Sequence, residues 1–184
     1  GILVPGGFGE RGTEGKIKAI EYARENNLPF FGICLGMQLA MIEFSRNVVG
    51  ISDATSEEFE GKGTPVIHYL EGQSKDVSKG GSMRLGAYDC EIKAGTLTAK
   101  IYEASRISER HRHRLEVNNE YVEKIESAGM TISGRNPELG LVEVIELPNH
   151  PFFVACQYHP EFKSRPYSPH PLFKEFIEAC GGRN

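Results

Sequence analysis

Tryptophan is absent from this sequence, and no apolar run approaches the roughly 18 residues needed to cross a bilayer, so nothing in it reads as a membrane span. Positive charge is not in surplus either. Lys and Arg number 21 against 25 Asp and Glu, a formal net charge of −4, which excludes the basic field that nucleic-acid and membrane-surface binders use. Cysteine is sparse. Cys34, Cys90, Cys156 and Cys180 lack framework spacing, which argues against a disulfide scaffold and for reduced thiols in a cytoplasmic protein. The opening GILVPGGFGE has no initiator Met, basic n-region or long apolar h-region, so no signal peptide is read there. It begins directly on an apolar strand, and the expectation is one domain over 1–184, partial at its N-terminus. What is present, 39% hydrophobic and 25% charged residues over 184 positions, suits one globular domain with a real core.

Apolar periodicity orders the elements. Residues 1–5 read as a buried strand, followed by the glycine-rich turn PGGFGERG. Helical spacing of Ile17, Ile20 and Ala23 marks a helix over 14–26. The run PFFGIC (29–34) has the continuous apolarity of a central parallel strand, and a helix over 35–44 follows with Leu35, Leu39 and Ile42 on one face. This order predicts an open, mostly parallel α/β sheet of flavodoxin-like type with helices on both faces, its first strands missing. Residues 47–64 read as loop, and 72–81 (GQSKDVSKGG) as a mobile surface loop. Strands are expected near 83–92, 112–117, 130–134, 140–147 and 152–158. Helical pieces are expected near 97–103 and 119–128, with a closing helix over 171–180.

Gly32-Ile33-Cys34-Leu35-Gly36 sits where a buried strand meets a helix and has the form of a nucleophile elbow with cysteine as the nucleophile. The glycines fit because side chains two residues either side of the nucleophile would clash in so tight a turn. The helix starting at Leu35 directs N–H groups and a positive dipole end at the sulfur, which favours thiolate. From this segment alone, Cys34 is equally a small buried core residue. Gln157-Tyr158-His159-Pro160-Glu161 ends another apolar strand. If the backbone stays extended there, His159 and Glu161 leave one face, and Glu161 can orient a general base. Both motifs fall at strand C-termini, where open α/β sheets place their active sites. The loop Pro5-Gly6-Gly7-Phe8-Gly9 supplies a third strand end, and the N–H groups of Gly7 and Leu35 are the expected oxyanion hole.

Two further matches carry less. Gly7-Phe8-Gly9-Glu10-Arg11-Gly12 fits G-x-G-x-x-G, but the next strand ends in Cys34 where a dinucleotide site needs Asp or Glu. Gly12-Thr13-Glu14-Gly15-Lys16-Ile17 lacks the Ser or Thr that follows a phosphate-loop Lys. The run Glu109-Arg110-His111-Arg112-His113-Arg114 would alternate its side chains as a strand. A solvated charged face is the plain reading, and an arginine fork for a carboxylate the functional one; no neighbouring pattern completes a zinc site.

GICLGMQ together with QYHPEF resembles the class I glutamine amidotransferases. Within them, VPGGFGERGTEGK (4–16), GGSMRLG (80–86), ERHRHRLEVNN (109–119) and HPEFKSRPYSPHPLF (159–173) resemble the CTP synthase family along essentially the whole chain. The resemblance implies that Cys34 attacks the amide of L-glutamine with His159 and Glu161 completing a triad. It implies that Gly7, Leu35, Gln38, Glu58 and Arg114 bind the substrate, Glu58 at the α-amino group and Arg114 at the α-carboxylate. It further implies that ammonia passes to a separate synthetase domain that uses ATP and Mg to aminate UTP, in a homotetramer activated by GTP. Phe8 and loop 72–81 are the candidate GTP-responsive surface. No cofactor or metal is expected in this domain. Two alternatives remain at this stage: a hydrolase of γ-glutamyl peptides, and a non-catalytic assembly domain.

Overall fold

A computed structural model of the chain describes residues 1–70 and 83–181. The proposed loop 72–81 lies outside them. The chain starts with β1 (Ile2–Val4), α1 (Thr13–Glu25), β2 (Phe30–Ile33) and α2 (Leu35–Phe44), then β3 (Ala54–Ser56) and β4 (Thr64–Tyr69). It continues with β5 (Arg84–Ile92), α3 (Leu97–Tyr102), β6 (Arg106–His113), β7 (Leu115–Val117) and α4 (Val122–Ser127). It closes with β8 (Thr131–Arg135), β9 (Val142–Glu146), β10 (Phe153–Cys156) and α5 (Pro171–Gly181). Among the described residues seven strands form one sheet in the order β1-β2-β10-β9-β8-β5-β6, and β3-β4-β7 form a second.

The open α/β architecture is as expected, but the large sheet is mixed rather than mostly parallel. β1, β2 and β10 run parallel, whereas β9, β8, β5 and β6 join by antiparallel pairing. The reason lies in the connections. Helical crossovers return the chain for the first strands, while the later strands lie beside antiparallel neighbours, which short connections serve as well. Sheet polarity therefore changes at β10, the strand that leads to His159.

Helices cover both faces. Phe30, Phe153 and Ala155 point to a core shared with α1, α2 and α4, while Phe31, Val154 and Cys156 point to a second core shared with α3 and α5. That alternation is the period-2 geometry of strands buried on both sides. Every residue of α2 is buried, because α1 lies along it and the small sheet covers its remaining flank. The one-sided stripe expected for it is thus a helix buried all round. A π-turn over Ser45–Val49 extends α2, and β3 and the start of β4 occupy part of the stretch expected to be loop. These strands are only three and six residues long, too short to leave a clear pattern. β6 also begins earlier than the 112–117 segment, at Arg106.

Candidate active site

The elbow is built as its glycines require. Cys34 has φ 51° and ψ −102°, in the left-handed half of the map that non-glycine residues rarely enter, so the turn stores strain. A Cβ on Gly36 would collide with the carbonyl oxygen of Val4, and one on Gly32 would lie 2.8 Å from the carbonyl carbon of Gly36. No larger residue fits either place. The Cys34 N–H donates to the Cys156 carbonyl at 2.7 Å, tying the elbow to β10.

The helix start does not make a resting thiolate. Burial pushes the Cys34 thiol up to about 12, the Leu35 N–H pulls the other way, and the charges of Glu161, Glu116 and Glu58 add to the rise. With Cys34 only 4% exposed, loss of water outweighs the partial charge of one helix end. Cys34 rests as a thiol, and the base expected for it is His159.

His159 stands at that position by a route different from the expected one. After β10 the chain does not stay extended: Pro160–Phe162 forms a 3-10 turn, for which Pro160 presets φ. The turn brings the Glu161 carboxylate Oε1 to 2.6 Å from His159 Nδ1. Burial opposes charge on Glu161, but the hydrogen bond from His159 prevails and holds its carboxyl below the ordinary value. A carboxylate accepts, so Nδ1 carries the proton and Nε2 is left as a lone-pair acceptor. That Nε2 is buried and has no hydrogen-bond partner among the described residues. Phe162 stacks on the imidazole, with centroids 4.9 Å apart and planes 13° apart, and the His159 N–H donates to the Arg110 carbonyl at 2.8 Å.

The glycine loop after β1 closes the third side. A Cβ on Gly6 would sit 2.7 Å from His159 Cε1 and 3.7 Å from Cys34 Cβ, so Gly6 is the spacer between the His159 ring and Cys34. Sequence reasoning chose Gly7 and passed over Gly6. A cavity of about 480 Å³ opens at this junction. Its wall includes Gly7, Phe8, Cys34, Gln38, Glu58, Arg114 and His159, together with Tyr69, Met83, Arg112, His113 and Leu115. Seven residues named from the sequence therefore share one cavity. Glu161 and Leu35 stand just behind it, each hydrogen-bonded to a wall residue. Phe8 is 91% exposed at the rim.

The basic run is not a solvated face. In β6, Glu109, His111 and His113 point inward and Arg110 and Arg112 outward. His113 Nδ1 lies 3.1 Å from the Leu115 carbonyl, which only accepts, so Nδ1 is protonated and His113 Nε2 accepts from His111 Nδ1 at 2.8 Å. Beside them Arg84, 5% exposed, reaches Glu116 at 3.2 Å and Glu143 at 2.7 Å. Burial drives both imidazoles toward neutrality, with Arg84 adding to the effect. Nothing in local spacing could have joined Arg84, Glu116 and Glu143, which come from three separate strand regions.

Comparison with known proteins points to one family. The model of the family "Glutamine amidotransferase class-I" matches residues 1–179. A CTP synthase of Pelobacter propionicus is 58% identical over 180 residues, and one of Staphylococcus aureus 59% over 180, in each case 97% of this chain. The chain spans 34% of the length of each of these relatives. The glutaminase domain of Trypanosoma brucei CTPS, solved with bound acivicin, superposes with a TM-score of 0.92 at 45% identity, covering all of this chain and 71% of that one. A glutamine amidotransferase of Thermotoga maritima shares the fold, with a TM-score of 0.50 at 18% identity over 86% of this chain and 56% of that one. With its elbow, its His–Glu pair and its glycine loop meeting at one junction, the chain belongs to the class I glutamine amidotransferase family.

Proposed function

We propose that the chain hydrolyses L-glutamine through a glutamyl thioester on Cys34 and supplies the ammonia to a synthetase domain that aminates UTP to CTP. The observation that carries the hydrolytic part is the free Nε2 of His159, whose other nitrogen is held by Glu161 at 2.6 Å, in the same cavity as a buried Cys34 thiol. Cys34 Sγ attacks the side-chain amide carbon as His159 takes the thiol proton. The oxyanion forms toward the N–H groups of Gly7 and Leu35. His159 returns its proton to the nitrogen, the C–N bond breaks, and ammonia leaves. Water, deprotonated by His159, then attacks the thioester, releasing glutamate and restoring the thiol. The imidazolium formed in each half is paired with Glu161.

Gln38, Glu58 and Arg114 line the cavity and are assigned to the substrate: Glu58 to the ammonium, Arg114 to the carboxylate as a planar fork, and Gln38 as an acceptor. Both Nε2 hydrogens of Gln38 are engaged, by the Leu115 carbonyl at 3.2 Å and Gln157 Oε1 at 3.3 Å, so a ligand can meet this residue only at its oxygen. The CTP-forming half is supported by the identity to CTP synthases over 97% of the chain. ATP and Mg are assigned to the synthetase domain, and no residue of this chain is assigned to them. Phe8, exposed at the cavity rim, is the candidate point of GTP response, and the cytoplasm the expected location.

Labelling with a glutamine-analogue electrophile and mapping the product by mass tests the reading. Modification is expected at Cys34 and nowhere else. Labelling elsewhere, or undiminished labelling of Cys34→Ala, would refute it.

A further inference from the structure

Among the described residues two hydrogen-bond donors reach the Cys34 sulfur: the Leu35 N–H, and the side-chain amide of Gln157, whose Nε2 lies 3.7 Å from Sγ. Gln157 follows β10 directly and is wholly buried. Its backbone N–H is fixed on the Glu143 carbonyl at 2.8 Å. Which end of its amide faces the sulfur is decided at a distance. The Leu115 carbonyl can only accept, so Gln38 must present Nε2 to it, and the same Nε2 lies 3.3 Å from the near end of the Gln157 amide. That near end must therefore be an acceptor, Oε1. Turned over, Gln157 would set its own N–H₂ against the N–H₂ of Gln38, two donors with nothing between them, and its oxygen against the sulfur. The chain of polarity Leu115 C=O, Gln38, Gln157, Cys34 runs one way, and it is anchored at its start by a backbone carbonyl.

We propose that Gln157 is a catalytic residue, a locked donor that stabilises the sulfur anion formed when His159 removes the Cys34 proton, and that Gln38 positions it. The step is a proton transfer alone: the S–H bond breaks, its electron pair stays on sulfur, and the proton goes to His159 Nε2, whose ring is paired with Glu161. The sulfur is shielded from water, so the charge it gains must be met by the donors already on it, and in a site with so little solvent a hydrogen bond to a charged atom counts for more than one to a neutral atom. The same N–H gives less to the neutral thiol, a weak acceptor, so the interaction favours the reacting state over the resting one. This role for Gln157 rests on Cys34 being the nucleophile of the proposed hydrolysis.

The test uses iodoacetamide, which reports the nucleophilicity of the sulfur without any need for glutamine. The rate of Cys34 alkylation is followed from pH 6 to 10 in the intact protein by peptide mass mapping, which separates Cys34 from the exposed Cys180. Gln157→Met, of similar volume with no donor, should slow alkylation near pH 7 by about 10- to 100-fold, the worth of one hydrogen bond to a charged group. The slowing should persist across the whole range, all of which lies below the value of about 12 to which burial pushes the thiol. Gln38→Leu, which frees the Gln157 amide to turn, should show a smaller slowing in the same direction, and it decides the matter if Gln157→Met does not fold. Wild-type rates across the range in a folded variant would overturn the proposal. Wild-type protein that alkylates at Cys34 with the expected pH profile but fails to hydrolyse glutamine would instead overturn the glutaminase reading.

Discussion

Replacing Arg84 by Met should destabilise the fold by an amount that grows with pH. Arg84 is the cation of a buried cluster whose other members are Glu116, Glu143, His111 and His113, none of them more than 6% exposed. Burial raises the Glu116 carboxyl to about 8 and the Glu143 carboxyl to about 7, against the opposing pull of Arg84. Glu143 Oε2 and His111 Nε2 both lack hydrogen-bond partners among the described residues and stand 3.6 Å apart, so a proton on that carboxyl oxygen faces an acceptor. At neutral pH the cluster thus holds one guanidinium, one carboxylate, one shared proton and two neutral imidazoles. Because both carboxyls have folded values above their unfolded ones, their contribution is complete below about 4.5 and is lost as pH rises through 7 and 8. Arg84→Met strips the remaining carboxylate of its partner. Removing one member of a buried pair costs about 3–5 kcal/mol, unless the orphan takes up a proton. Uptake adds one more proton to the folded state of the variant once the wild-type cluster begins to ionise, so the penalty should grow by up to about 1.4 kcal/mol per pH unit above about pH 7. Urea melts of wild type and variant at pH 5, 6, 7 and 8 measure this. A penalty below about 1 kcal/mol at pH 8 would refute the reasoning, as would one independent of pH. Adding Glu143→Gln, which removes the carboxyl that ionises first, should recover most of the loss at pH 8 and little at pH 5.

Glu161→Gln should lower kcat for glutamine by roughly 10²–10⁴, because the amide no longer neutralises the imidazolium and can turn its N–H₂ toward His159 Nδ1. Steady-state kinetics with ammonia release as the readout would show it, and a change under about threefold would rule out the orienting role. Arg114→Ala should raise KM for glutamine about 10- to 100-fold with a smaller change in kcat, since a charge-assisted fork to the carboxylate is lost. An unchanged KM would remove Arg114 from the substrate site.

How much of this was legible in the sequence depended on how local the determinant was. The elbow was readable because Gly32 and Gly36 answer a steric need at fixed offsets from Cys34, and the structure places Val4 and Ala155 against them. α1 and β2 announced themselves by unbroken periodicity. The antiparallel half of the sheet did not, since a strand carries no mark of which neighbour it will meet or in which direction. The Glu58 position came only from family likeness, because a carboxylate on a short turn has no pattern of its own. The buried cluster around Arg84 was invisible for the same reason: its two carboxyls are 32 and 59 residues from Arg84 in the chain. Alternation along β6 would have placed His111 and His113 inward, yet six consecutive polar residues pointed toward solvent. The inward imidazoles are tolerated because they bond to each other and to a carbonyl.

The sulfur itself shows two local rules in opposition. A helix N-terminus favours thiolate, burial favours thiol, and the balance, a rise from 9.0 to about 12, falls to burial. The partial charge of a helix end acts on one side of the atom, whereas removal of water acts on all sides. A resting thiol in such a site is slow to react with passing electrophiles. In the proposed mechanism its anion forms together with the imidazolium that neutralises it, so nucleophile, general acid and charge balance arise in one proton transfer. That proposal assigns the transfer to the His159–Glu161 pair at 2.6 Å, with the strained turn at Cys34 fixing the sulfur. Reactivity here belongs to the arrangement of strand ends rather than to the cysteine.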